Sequence, residues 1–298
     1  MSKAFFSKYC IICSLITAFV FPAFATADEL TSTMTVTGQQ DQPNQVTRKE
    51  TTVEFNKAYF KGYVTDLTNI VTAPARWDSS DWITAGIITG ITVGLYENDA
   101  KIQKWVLEHK TTTTNNIGDE TTDFGHGKYT PVILGGMYLY GHVADDGKMR
   151  ETALLSVESF VLTGIFVQVT KRLTHRHRPN TGDPPDTFDG PGLHSTSATS
   201  SLPSGHASSA FAVASVIASE YDNVIVPPLV YSIAAITALN RVSHNAHWSS
   251  DVFVASAMGY FTGKFIVASH RNNRESDLSL APMIMNNGEL GMVLTHRF

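Results

Sequence analysis

The 298-residue chain is 43% hydrophobic and 16% charged, with a mean hydropathy of -0.04. That apolar fraction excludes wholesale disorder, and the near-zero hydropathy argues against a chain built mostly of membrane spans. The net charge of -5 leaves no basic excess, so no nucleic-acid partner is expected.

Residues 1–27 read as a secretory signal peptide. Lys3 and Lys8 supply a positive start, an uncharged apolar stretch follows, and Ala25-Thr26-Ala27 forms a small-residue cleavage site. Cleavage removes Cys10 and Cys13, the only two cysteines, so the mature chain forms no internal disulfide; export without disulfides is compatible with a bacterial periplasm. Residues 28–79 are expected to be an extended N-terminal arm, with short strands suggested by alternations such as Thr33-Met34-Thr35-Val36-Thr37 and Thr51-Thr52-Val53-Glu54-Phe55.

Over 80–270 the pattern is helical. Apolar blocks at about 83–95, 130–143, 152–170, 207–219, 224–239 and 252–268 are separated by polar loops at 110–128 and 180–202. The second loop is long enough to be read as a functional lid. Most blocks fall short of a membrane span; Glu158 and Gln168 interrupt the third, Lys264 the last, and Pro227-Pro228 the fifth. The expected fold is therefore mainly α: a helical bundle of about six core helices, soluble or in peripheral contact with a membrane, with a compact membrane-embedded bundle as the alternative. At 271–298 the period changes. Asn286-Asn287-Gly288 between alternating apolar residues predicts a C-terminal β-hairpin.

Three polar clusters lie at the edges of the helical blocks. The first runs from Lys171 to Pro179, the second is Pro203-Ser204-Gly205-His206, and the third runs from Arg241 to Asp251. Lys171, Arg178 and Arg241 are cations able to converge on one anion, the arginines through planar forks and the lysine as a point charge. Ser204 and Gly205 open a helix, whose free N–H groups and dipole favour phosphate. His206 is an imidazole suited to proton transfer, and Asp251 lies one helical turn beyond His247, where it is expected to hold that ring's tautomer. The set points to phosphoryl transfer through a phosphohistidine, with His247 as nucleophile and His206 as acid and base. With one carboxylate among several cations, no metal is expected in this site. His175 and His177 are read as adding only positive potential, and Asp119, Glu120, Asp123 and His126 as a mainly solvated loop.

Lys171-x6-Arg178-Pro179, Pro203-Ser204-Gly205-His206 and Arg241-x5-His247-x3-Asp251 resemble the three-part signature of the type 2 phosphatidic acid phosphatase and vanadium haloperoxidase superfamily. The resemblance covers about 80–270, which it makes the phosphatase domain. It implies phosphate binding by Lys171, Arg178 and Arg241 and catalysis by His206, His247 and Asp251. Arg176 matches a position that is often basic in that family, and Asn240 departs from its usual serine. The resemblance implies a secreted, metal-independent, acid-type phosphomonoesterase. Its expected substrate is a soluble or lipid phosphate ester, it needs no cofactor, and vanadate binds as a phosphate mimic. The same pocket loaded with vanadate as a haloperoxidase is the alternative.

Overall fold

The computed structural model describes residues 53–276, 278–284 and 290–296. The signal-peptide reading, the alternations before Val53 and the Asn286-Asn287-Gly288 turn lie outside the described residues. Eight α-helices are described: α1 Lys57–Thr72, α2 Ser79–His109, α3 Thr112–Thr122, α4 Tyr129–Val143, α5 Gly147–Thr174, α6 Gly205–Glu220, α7 Val226–Ser243 and α8 Ser249–Ser276. Strands β1 Leu278–Ile284 and β2 Leu290–His296 come after them and pair antiparallel, Leu278 opposite His296.

The structure corrects three expectations. The arm read as extended over 28–79 is helical from Lys57: the Asn56 side chain accepts from the Tyr59 N–H, and Tyr59 and Ile70 turn inward on one face. The polar stretch at 110–128 contains α3 and a short 3₁₀ turn, Asp123–Gly125. The boundary expected at 270/271 also falls inside α8.

Local chemistry accounts for the helix ends. Asp78 and Asp81 form a reciprocal capping box at the start of α2, and Asp146 caps α5 through the Met149 N–H at 2.9 Å. Pro227-Pro228, read from sequence as an interruption, sits in the first turn of α7, where the missing N–H groups would be unpaired in any case. α5 ends at His175, which adopts the left-handed conformation (φ 43°) and turns the chain into the long loop.

α5, α6 and α8 enclose the main core, with Leu155, Leu162, Phe166, Val216, Met258 and Ile266 buried together. α6 approaches α8 closely because small residues line the contact. A Cβ on Gly259 would lie 2.1 Å from the Ser208 carbonyl oxygen, and one on Gly263 2.6 Å from that of Ala212. This crossing fixes the start of α6 against the start of α8 and so sets the relative position of two of the three clusters. α5 and residues 249–271 of α8 are long and apolar enough to cross a membrane by length and composition, although 61% and 56% of their most apolar stretches are buried inside the protein.

Candidate active site

The three clusters converge where α5 ends, α6 begins and the α7–α8 turn returns. Lys171, in the last turn of α5, donates to the Ser200 carbonyl at 2.6 Å. Arg178 donates to Ser200 Oγ at 3.2 Å, and Arg241, at the end of α7, to Thr122 Oγ1 at 2.8 Å. The Nε atoms of both arginines are buried without a hydrogen-bond partner among the described residues. Buried donors held in this way are costly unless a ligand accepts from them. Burial and the neighbouring Arg178 bring the Lys171 pKa down to about 8.

His247 is buried, and its Nδ1 lies 2.7 Å from the Ser201 carbonyl oxygen. A carbonyl only accepts, so Nδ1 carries the proton and Nε2 keeps its lone pair. Burial, together with Lys171 and Arg178, holds the imidazole pKa well below the usual histidine value and keeps the ring neutral. This geometry corrects the expectation for Asp251. The residue that fixes the His247 tautomer is Ser201, through its backbone. Asp251 instead accepts from Arg176 at 2.6 Å, from the Ser201 hydroxyl and from the Trp248 N–H at 3.0 Å. It therefore holds both the residue whose carbonyl aims the ring and the residue that follows the ring. The i+4 spacing delivered the carboxylate to the right region, but the local backbone supplied a nearer acceptor.

Arg176 is the buried hub beneath the site. Its guanidinium donates to Asp251, to Asp99 at 2.8 Å, to Ser250 Oγ at 2.8 Å and to the Pro185 carbonyl. Burial opposes its charge, yet Asp251 and Asp99 outweigh that and raise its pKa. With its donors spent inside the protein, Arg176 binds no substrate. Asp99 itself accepts from Ser249 and Ser250 at the start of α8. Sequence reasoning missed Asp99, which lies within α2 between Glu97 and Lys101, far along the chain from the three clusters.

Ser204 caps α6, its hydroxyl accepting from the Ala207 N–H at 3.5 Å. A Cβ on Gly205 would meet nothing within 4 Å, so there is open space beside this residue at the start of α6. His206 follows, with its ring against that of His126, the centroids 5.1 Å apart. Burial and the charges of Arg241, His126, Lys171 and Arg178 push its pKa down to about 3.

In the polar segment before α4, Asp119, Glu120 and Asp123 are exposed as expected, whereas Thr122 and His126 are half-buried against the pocket. Thr122 accepts from Asn240 at 2.6 Å as well as from Arg241, and Asp119 pairs with His244 at 2.9 Å. Gly125 packs directly on the His206 backbone. Thr122 and His126 therefore belong to the site; the signal available in sequence was the placement of Asn240, a hydrogen-bonding residue, beside Arg241. His175 and His177 do more than add potential. His175 faces the carbonyls of Gly190 and His194, and His177 bridges Asp183 and Asp189 at 2.7 and 3.1 Å. Together they tie the 180–202 loop to the end of α5.

An apolar groove of about 560 Å³ opens between α2, α3 and α7. Ile102, Trp105, Val106, Ile117 and Leu239 line it, and Asn240 borders it.

Residues 152–275 match the model of the PAP2 superfamily. A lipid A 1-phosphatase of Porphyromonas gingivalis is 38% identical over 69 residues; the match covers 22% of this chain and 16% of that protein. Among solved structures, LpxE of Aquifex aeolicus aligns with a TM-score of 0.45 at 17% identity, over 58% of this chain and 94% of its own. The transmembrane PAP2-type phosphatidylglycerolphosphate phosphatase of Bacillus subtilis aligns with a TM-score of 0.41 at 16% identity, over 72% and 95%.

Proposed function

Because this chain belongs to the PAP2 superfamily through residues 152–275, we propose that it is a phosphatase that hydrolyses the phosphate monoester of a lipid. The observation that carries the reading is the lone pair of His247 Nε2, kept free by Nδ1–H···O=C of Ser201, beside two arginines with unpartnered buried Nε donors.

In the first step Nε2 attacks phosphorus and the ester oxygen leaves, giving a phosphohistidine. His206 protonates the leaving oxygen. In the free protein this ring is neutral, but the oxyanions of the substrate cancel the field of Lys171, Arg178 and Arg241 and raise its basicity. Water then attacks the intermediate, with His206 taking its proton. The cations and the first N–H groups of α6 stabilise the equatorial oxygens throughout, each such contact contributing about 3–4 kcal/mol of barrier lowering. No step calls on a metal ion, so full turnover in EDTA is expected, with vanadate as a competitive inhibitor.

Two observations support a lipid substrate at a membrane surface. An apolar groove reaches Asn240, the neighbour of Arg241 in the chain, and offers an acyl chain an apolar surface. Large apolar side chains are exposed along α2 (Ile83, Ile87 and Ile91) and along α4 (Val132, Leu139 and Val143), a surplus that fits lipid contact. The relative matched by sequence carries a phosphatase name, which favours this reading over the vanadium-dependent oxidoreductase alternative.

The test is a substrate panel on the purified full chain, comparing p-nitrophenyl phosphate with phosphatidate and lipid A in detergent micelles. Acid-labile ³²P on histidine should be trapped in the wild type and absent from His247→Ala. Hydrolysis undiminished in His247→Ala would overturn the mechanism, and turnover of p-nitrophenyl phosphate alone would overturn the lipid assignment.

A further inference from the structure

Far from the phosphate pocket, three helices bring together a second set of ionisable side chains. Asp66 of α1, Glu158 of α5 and His270 of α8 place one ligand atom each within 4.8 Å of one another. His270 Nε2 lies 2.9 Å from Glu158 Oε2 and 3.5 Å from Asp66 Oδ2. Along α8, His270 stands 19 residues beyond Asp251, about 28 Å at 1.5 Å per residue, so this cluster does not share the catalytic pocket.

The hydrogen-bond inventory is deficient. Apart from the contact between the two carboxyl groups themselves, among the described residues four carboxylate oxygens meet two donors: the Ser269 hydroxyl, which bonds Asp66 Oδ1 at 2.6 Å, and the Nε2–H of His270. Glu158 Oε1 is buried without a hydrogen-bond partner among the described residues, on a side chain that is 0% exposed. Nearby hydroxyls do not remedy this. Tyr59 donates to the Leu154 carbonyl and Tyr63 lies against Tyr59. Burial and the neighbouring Asp66 carboxylate raise the Glu158 pKa, so the interior resists two negative charges here unless a cation completes the site.

We propose that Asp66, Glu158 and His270 form a structural site for one divalent transition-metal ion of the zinc class, which ties α1 to the α5–α8 core. The ligand chemistry fits, since zinc takes imidazole nitrogen and carboxylate oxygen at about 2.0–2.2 Å in a four-coordinate arrangement. Ligand atoms around such an ion lie about 3–3.5 Å apart, the spacing of His270 Nε2 to its two neighbours. Glu158 Oε1 would supply the fourth donor through bidentate binding. As the ion binds, the proton on Nε2 leaves to solvent and the Nε2 lone pair forms the new bond. The site stabilises the fold and takes no part in hydrolysis.

The experiment treats the full-length protein with chelator, dialyses it against Zn(II), removes free ion and counts bound metal by mass spectrometry. One ion per chain is expected for the wild type and for His247→Ala, and less than about a tenth of an ion for His270→Gln and Glu158→Gln; zinc should raise the melting temperature of the first pair only. Substoichiometric metal in the wild type, or equal metal in all four proteins, overturns the proposal. So does loss of the ion in His247→Ala alone, which would put the metal in the phosphate pocket. A variant that fails to fold also loses metal, so Co(II) in the wild type is the second readout. The expected result is intense d–d absorption from a four-coordinate nitrogen–oxygen site. The spectrum of aqueous Co(II) would overturn the proposal. Failure here leaves the phosphatase reading untouched.

Discussion

Two arginines two residues apart do opposite work. Arg178 keeps an unpartnered Nε in the pocket, whereas Arg176 spends its donors on Asp99, Asp251 and Pro185. Arg178→Ala is therefore expected to lower kcat/KM by at least about 100-fold with a melting temperature close to wild type. Arg176→Ala strands two buried carboxylates and should cost about 3–5 kcal/mol of stability, read from chemical denaturation. Lys171 gives a pH signature. Its pKa is lowered to about 8, so its charge is present below pH 8 and is lost as pH rises through that value. The free-enzyme profile, kcat/KM, should then fall above about pH 8, and Lys171→Arg, which stays charged, should move that limb to higher pH. An unmoved limb would mean that Lys171 is not the titrating group.

At the level of elements, the decisive contact is α6 against α8. Gly259 and Gly263 leave room for the α6 backbone, and Ser204 and Asp251, which anchor two clusters, lie one end of this crossing away. Gly259→Ala introduces a methyl group into space held by the Ser208 carbonyl. The expected cost is about 1–3 kcal/mol, with a larger loss of kcat than of substrate affinity, because separating the helices misaligns His206 and His247. Melting curves together with steady-state kinetics check this. The apolar blocks of the sequence correspond to α2 and α4–α8 because burying a stripe requires helical periodicity. α1 escaped that reading. Its inward face carries Asp66 beside Ile70, and a buried carboxylate breaks the apolar pattern by which an inward helical face is recognised. α3 escaped it because its eleven residues are mostly polar and are held by Asn240 and Thr237 of α7.

For the whole molecule, the exposed apolar residues of α2 and α4 together with the apolar groove that reaches Asn240 make a membrane-facing reading testable. Carbonate-washed membranes should retain the protein and its phosphatidate phosphatase activity, whereas release of active protein by osmotic shock alone would refute lipid contact. Activity at ordinary assay temperature should survive EDTA, while the melting temperature falls if Asp66, Glu158 and His270 hold an ion.

Sequence by itself determined the helical class, and it singled out at helix edges the cations Lys171, Arg178 and Arg241 and the imidazoles His206 and His247 that the fold brings to one place. These come from local periodicity, from capping and from fixed spacing within single segments. Only the tertiary structure decided which acceptor sets the His247 tautomer, that Arg176 is spent internally, that Thr122 and His126 border the pocket, and that Asp66, Glu158 and His270 meet. The physical reason is one of range. A hydrogen bond is settled within a few tenths of an ångström between groups 46 to 203 residues apart in the chain, and no short spacing encodes that distance.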